Sequence, residues 1–240
     1  MKKITFLHTP EMALVTPAVP ASKALPEWYK KAQVDIDLDG SGPWNTTFKA
    51  CMPFLDAMTQ GYIIPLWCDL YVSMKTNAKT GKPEPVFTWN EHLPMPQISS
   101  HWQPQVEGIP DVEKSKGNAV FKFMNPWIVR TPPGYSSLIV APLNNAHPYF
   151  QMFSAVVATD QYFNGIQFPF TYIGPDDWEG TIPMGTPLMQ IIPFKRDDFE
   201  HQITPLDESD NNMVQSCKVA IALGFRHVYK RLWRRPVKSI

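Results

Sequence analysis

The chain has 240 residues, with 22 Lys and Arg against 22 Asp and Glu and a hydrophobic fraction of 44%. Zero net charge excludes a chain-wide attraction for nucleic acid or an anionic membrane, so any such affinity has to come from a local patch. The length supports one substantial core, and no apolar run approaches the ~18 residues that a membrane-spanning helix needs.

Proline is the compositional outlier. There are 25, spread along the chain among 14 Phe, 8 Tyr and 8 Trp. Disordered proline-rich tracts lack aromatics, so these prolines read as shaping the loops and strand edges of a folded β-rich body. Cys51, Cys68 and Cys217 are odd in number and show no C-x-x-C spacing. They read as buried thiols of a reduced, cytosolic compartment.

In chain order, residues 2–7 read as a strand. The apolar run after Met1-Lys2-Lys3 is too short for a secretory leader and is ended by His8, Pro10 and Glu11. Residues 9–26 read as an extended strap carrying Pro10, Pro17, Pro20 and Pro26. A short helix is expected over 26–34, with Pro26 in its first turn and Glu27 near its positive end. Thr46 or Thr47 caps a second helix over 50–58, closed by Gly61. Residues 62–74 read as one long strand, 77–85 as a hairpin tip (N-A-K-T-G-K-P), 86–89 as the return strand and 99–117 as loop.

Residues 119–194 carry short β-branched and aromatic runs cut regularly by Pro, Gly and Asn, the pattern of an antiparallel barrel or sandwich. Residues 208–233 lack proline. Met213, Cys217, Ala220, Ile221, Gly224 and Val228 recur there at helical steps. Asp207, Glu208 and Asp210 open this segment and Arg226, Lys230, Arg231, Arg234 and Arg235 close it, as the helix dipole favours. The expectation is a single domain over residues 1–240: strap and short helices in 1–60, a β core in 61–200, and a C-terminal helix with a basic tail in 207–235.

Candidate chemistry is sparse. Asp35, Asp37 and Asp39 before Gly40 open like a calcium loop, but the twelfth position is Thr46 and Pro43-Trp44 interrupt it. An acidic solvated turn is the favoured reading there, and no cofactor is expected. No two of the six histidines sit at i, i+4 or zinc-finger spacing, so no metal is expected either. Phosphate-binding G-x-x-x-x-G-K-[ST] and G-x-G-x-x-G loops and the G-x-S-x-G elbow are absent. Lys230, Arg231, Trp233, Arg234 and Arg235 form the one strong basic patch. With Tyr229 interleaved it suits a partner protein or single-stranded nucleic acid. The favoured reading is a helix end whose cations match the dipole, with Trp233 packed on the body.

Two resemblances follow from the β segment. Residues 130–144 (R-T-P-P-G-Y-S-S-L-I-V-A-P-L-N), Val157-Ala-Thr-Asp160 and Gly185-Thr-Pro-Leu-Met-Gln-Ile-Ile-Pro-Phe-Lys-Arg196 resemble an uncharacterised family of phages and bacteria. Leu25-Pro-Glu-Trp-Tyr-Lys and Cys51-Met-Pro-Phe-Leu-Asp-Ala-Met-Thr are similar to its phage branch. That likeness implies a viral protein, in the cytoplasm of the infected host or in the virion, and no activity.

The order of elements also resembles the trimeric dUTPase and dCTP deaminase β-barrel. Pro133-Gly134-Tyr135 matches its turn, residues 155–162 its hairpin and Gly185 to Gln190 its last strand. The chain departs where that family's water-orienting carboxylate becomes Ala158 and its phosphate-binding Arg and Ser become Leu143 and Asn144. The resemblance therefore implies a dUTPase-like barrel or jelly-roll sandwich, possible trimers and hydrolysis lost, and the reading leans away from an enzyme.

Under it, Arg130, Tyr135, Asn144, Asp160, Tyr162 and Gln190 would line a pocket for a small anionic, nucleotide-like ligand. Without a ligand, Gly134 serves a tight turn, Asp160 caps a hairpin and Gln190 satisfies backbone groups in the core. The alternative function is a non-enzymatic virion structural or assembly protein, and a third is a host-directed inhibitor.

Overall fold

The computed structural model describes residues 2–37, 40, 45–78, 81–90, 92–113, 115, 119–223 and 228–235. The strands, in chain order, are β1 (Thr5–Leu7), β2 (Val19–Pro20), β3 (Asp35–Ile36), β4 (Asn45–Thr46), β5 (Tyr62–Pro65), β6 (Leu70–Thr76), β7 (Pro83–Thr88) and β8 (Ile98–Ser100). There follow β9 (Phe121–Phe123), β10 (Ile128–Arg130), β11 (Tyr135–Val140), β12 (Phe150–Met152), β13 (Ala155–Val157), β14 (Phe168–Tyr172), β15 (Gly180–Ile182) and β16 (Pro187–Lys195). The helices are α1 (Glu27–Lys31), α2 (Met52–Thr59), α3 (Pro110–Glu113), α4 (Glu208–Ala222) and α5 (Val228–Leu232). The chain divides into two compact units: Met1–Leu25 with Met58–Arg196, and Pro26–Ala57 with the chain from Asp197 onward.

The first unit is mainly β and its described pairings are all antiparallel. Its sheets run β13-β11-β16-β5-β2, β12-β14-β9-β8, β15-β6-β7 and β1-β10. The expected barrel does not close: each sheet keeps two open edges, and the described strands form separate sheets that share one core. Strand length gives the reason. A barrel needs long staggered strands to wrap, but ten of the sixteen described strands are no longer than three residues.

One apolar core joins the sheets. Ile64, Ile139, Met189 and Ile191 face Phe123, Phe150, Phe168, Phe170 and Tyr172 in a single buried cluster. The rings of Phe123 and Phe170 stack at 4.2 Å, and Phe150 meets Phe170 edge-on at 4.9 Å. β16 reads as a continuous apolar run because it lies inside its sheet between β11 and β5, with Leu188, Met189, Gln190 and Ile191 all buried.

Several boundaries differ from the expected ones. The long strand over 62–74 is two strands, β5 and β6, in different sheets. Leu66, Trp67 and Cys68 turn between them with their side chains in the core, so an unbroken apolar run hid a corner. The segment read as loop over 99–117 contributes β8 and α3. Val106, Val112 and Val120 give it a small core of its own. The expected strap buries Met12 and Ala21. The expected hairpin tip is present as the β6–β7 turn, closed by the Asn77 N–H donating to Lys82 O at 2.9 Å.

The second unit brings Pro26–Ala57 together with the C-terminal segment. Trp28, Tyr29, Phe48 and Phe54 form an aromatic group, Tyr29 stacking on Phe54 at 6.3 Å. Lys49 Nζ donates to the carbonyls of Lys30 (2.6 Å) and Ala32 (2.7 Å), satisfying the end of α1. Thr47 accepts from the Lys49 N–H at 3.2 Å, so it caps a 3-10 turn ahead of α2. The C-terminal segment holds two helices, α4 and α5; residues 224–227, including Gly224 and Arg226, lie outside the described residues. No helix among the described residues is long and apolar enough to cross a membrane.

Candidate functional site

In the first unit, the chain leaves β10 at Arg130, turns through Pro132-Pro133-Gly134 and enters β11 at Tyr135. Gly134 takes φ +83°, a left-handed conformation that glycine adopts at little cost. The turn is tied by the Tyr135 N–H to Pro132 O at 3.2 Å. Asp160 anchors it: its Oδ2 accepts the Gly134 N–H at 2.8 Å. Both carboxylate oxygens take the fork of Arg196, Nη1 to Oδ1 at 2.8 Å and Nη2 to Oδ2 at 2.5 Å. Arg196 also reaches the Tyr135 carbonyl and the Ser136 hydroxyl, each at 3.1 Å. The Arg196 hydrogen bonds hold the Asp160 carboxyl down at about 2.

Behind this pair lies a buried hydroxyl cluster. Thr131 and Thr159 meet at 2.7 Å, and Ser137 joins Thr159 at 3.0 Å. These groups satisfy one another, so the cluster fixes the turn and offers no free nucleophile.

A cleft of about 320 Å³ opens beside the turn, lined by Lys3, Thr5, Leu7, Arg130, Thr131, Pro132, Pro133 and Asp160. β1 brings Lys3 there because Thr5 pairs with Arg130. The exposed Arg130 guanidinium lies 5.1 Å from the centre of the Phe163 ring. Lys2 hydrogen-bonds the Tyr135 hydroxyl. Tyr162 is exposed nearby in sequence, its N–H bonded to Ala158 O at 2.9 Å.

The six residues expected to line one pocket therefore divide. Arg130, Tyr135, Asp160 and Tyr162 belong to this end of β11. Gln190 pairs with Val140 at the opposite end, about 17 Å away along the strand. It is fully buried, accepting the Leu143 N–H at 2.8 Å and donating to Gln60 O at 2.6 Å. Asn144 is exposed beyond that end, in a turn at φ +58°.

Burial also shifts the half-buried His147 and the buried Cys68. His147 is held down to about 4 by burial against Phe150, its ring stacked at 4.5 Å. The Cys68 thiol is pushed up to about 11 by burial and donates to Gln97 Oε1 at 2.7 Å. A protonated, buried thiol is not a nucleophile.

In the second unit, the basic tail is partly consumed by its own fold. Arg234 binds Asp56 of α2 through Nε (3.0 Å) and Nη2 (2.5 Å). Arg235 bonds the carbonyls of Leu232 and Arg234. Trp233 is half-buried against Tyr229, while Lys230 and Arg231 are exposed. Next to them is an open groove of about 900 Å³ between α4 and α5, lined by Val219, Ala220, Leu223, Val228, Leu232 and Arg231 among others.

α4 itself has no buried residue. Met213, Val219, Ile221 and Leu223 are each more than half exposed, and the preceding Phe199 and Ile203 are 91% and 93% exposed.

Asp37 Oδ1 accepts the Gly40 N–H at 2.8 Å, and Asp35 sits in the β3–β4 pair; Asp39 lies outside the described residues. Among the described residues no group of three or more His, Cys, Asp or Glu is placed to hold a metal ion.

Sequence reasoning missed Arg196 as the partner of Asp160. The signal was the strand register, which sets Tyr135 opposite Lys195 and so brings the next residue to the turn. It also missed that the apolar side chains of α4 stay uncovered, which periodicity alone does not report. No protein-family model matches this chain, and no curated protein matches it.

Proposed function

We propose that this chain is a non-enzymatic assembly protein, a phage virion component whose β body carries an apolar C-terminal arm for binding a neighbouring protein. The observation that carries the reading is the 15-residue α4 with no buried residue. A helix of that length is marginal alone and gains its stability by packing an apolar face. Here that face and the segment before it stand in solvent, and exposed apolar patches of this kind mark interaction sites. The resemblance of the N-terminal segments to a phage branch is the reason for taking a virus particle as the setting. Mass spectrometry of purified particles tests this: the chain is expected at stoichiometric level, and its absence overturns the reading.

A second reading is favoured by one observation, the cleft lined by both Lys3 and Arg130, with the Arg130 guanidinium against the exposed Phe163 ring. Two cations beside an aromatic face suit a small anion with a planar group, such as a nucleotide. Calorimetry with inorganic phosphate and with nucleoside triphosphates tests it. Heat that disappears in Arg130→Ala supports a site, and no heat removes it.

A further inference from the structure

The C-terminal segment is divided by charge as well as by structure. From 197 to 210 there are six acidic residues and no Lys or Arg; from 211 to 240 there are seven Lys or Arg and no acidic residue. The acidic part begins with an arm, residues 197–206, that has no secondary structure and is exposed throughout. Phe199, Ile203 and Leu206 are its apolar residues, 91%, 93% and 60% exposed. The basic part contains the α4–α5 groove, apolar along Val219, Ala220, Leu223, Val228 and Leu232 and edged by Arg231. Arm and groove are thus complementary in both hydrophobicity and charge.

We infer that the arm of one copy lies in the α4–α5 groove of a second copy of this chain. Lengths agree. Phe199 to Leu206, extended, spans on the order of 20 Å, and α4 is about as long. Pro205 keeps the arm from continuing α4 backward as one longer helix.

Asp207 has φ −80° and ψ 179° and its Oδ1 accepts the Asp210 N–H at 2.7 Å. That extended N-cap ends the helical path, so the arm does not continue α4 as helix. The arm's acids also stand next to the acids of its own first turn (Glu208, Asp210), whereas the cations lie at the far end. A neighbour's groove offers attraction without that repulsion. Arm into groove is a heterologous contact, so two copies exchange arms reciprocally or a series closes into a ring or runs on as a filament.

This inference rests on the assembly reading and names its partner. The test is light scattering on size-separated full-length chain. A dimer or larger species is expected at low salt, with association weakened at least tenfold at about 0.5 M NaCl, where exposed charges are screened. Ile203→Asp changes only an exposed, structureless arm and is expected to give monomer with an unchanged far-UV spectrum. Leu223→Asp, in the groove, is expected to do the same.

Mixing these two variants decides the geometry. Arm-in-groove pairing predicts a heterodimer from one intact arm and one intact groove. Failure of the mixture to associate overturns the inference. So does a wild-type chain that is monomeric at all concentrations, or one whose arm is protected from hydrogen exchange while monomeric. If the wild type is monomeric yet particles still incorporate the chain and exclude Leu223→Asp, the second copy is wrong and the assembly reading stands. Absence from particles of a chain that does self-associate removes the reading and leaves the pairing.

Discussion

At the residue scale, Asp160 and Gln190 carry the clearest lesson about polar groups in a β body. Each was a candidate ligand contact, and each spends its hydrogen bonds inside the protein. Gln190 bridges two backbone groups from opposite sides of its strand, which a buried amide has to do to offset its desolvation. Asp160 joins a turn to the end of β16 through Arg196.

Its ordinary carboxyl value of 3.8 is lowered to about 2 in the fold. The unfolded chain therefore binds the proton first on acidification. The stabilisation from this carboxylate is complete above about pH 4 and is lost as pH falls towards 2. His147 acts in a separate window: its folded value of about 4 lies below the ordinary 6.5, so stability falls between those two pH values as the unfolded imidazole charges. Denaturant midpoints measured from pH 7 to 2 are expected to fall in both windows. Asp160→Asn is expected to lower the midpoint at pH 7 and to flatten the lower window alone. A variant that keeps the wild-type slope between pH 4 and 2 would show that another carboxylate is responsible.

At the element scale, the turn from α2 into β5 at Gly61 is tightly constrained. Its φ is +71°, and a Cβ there would stand 2.1 Å from the Ile191 carbonyl oxygen. That oxygen belongs to the central strand β16, which β5 has to approach to pair. Gly61→Ala combines a left-handed backbone with a backbone overlap that no side-chain motion relieves. A loss of about 2–4 kcal/mol is expected in urea unfolding. An unchanged midpoint would mean that β5 and β16 are not held this closely.

The sequence announced this glycine as a helix stop, and the other punctuation was equally legible: the Pro132-Pro133-Gly134 turn, the β6–β7 hairpin, and the acidic start of α4. Those are local signals, set by φ preferences and capping. Closure of the sheets, the split of 62–74 into two strands, and the Asp160–Arg196 pair were not legible. They depend on which strands become neighbours, and the same short apolar runs fit a barrel, a sandwich or a stack of small sheets. The candidate site suffered most, because aligning residues to a barrel placed Gln190 and Arg130 around one hollow, while the register sets them at opposite ends of β11.

At the scale of the whole molecule, the buried apolar cluster of the β unit runs from Ile64 to Ile191, and the hydrophobics packed on it lie between Ile4 and Trp178. Among the described residues none comes from beyond residue 196. The segment after Arg196 contributes instead to a second set of contacts, through Val228 and the Arg234–Asp56 pair. Stability and association thus have different residues behind them, and a truncation separates the two. A chain ending at Asp198 keeps Arg196 on Asp160 and keeps every member of the β core. It is expected to retain a cooperative thermal transition and the β far-UV signature while losing all self-association. Loss of the transition would mean that the β body depends on the C-terminal helices for its fold. Persistence of association would move the interface onto the open sheet edges of β2, β13, β7 or β8, where unpaired backbone groups are the other natural template for pairing between chains.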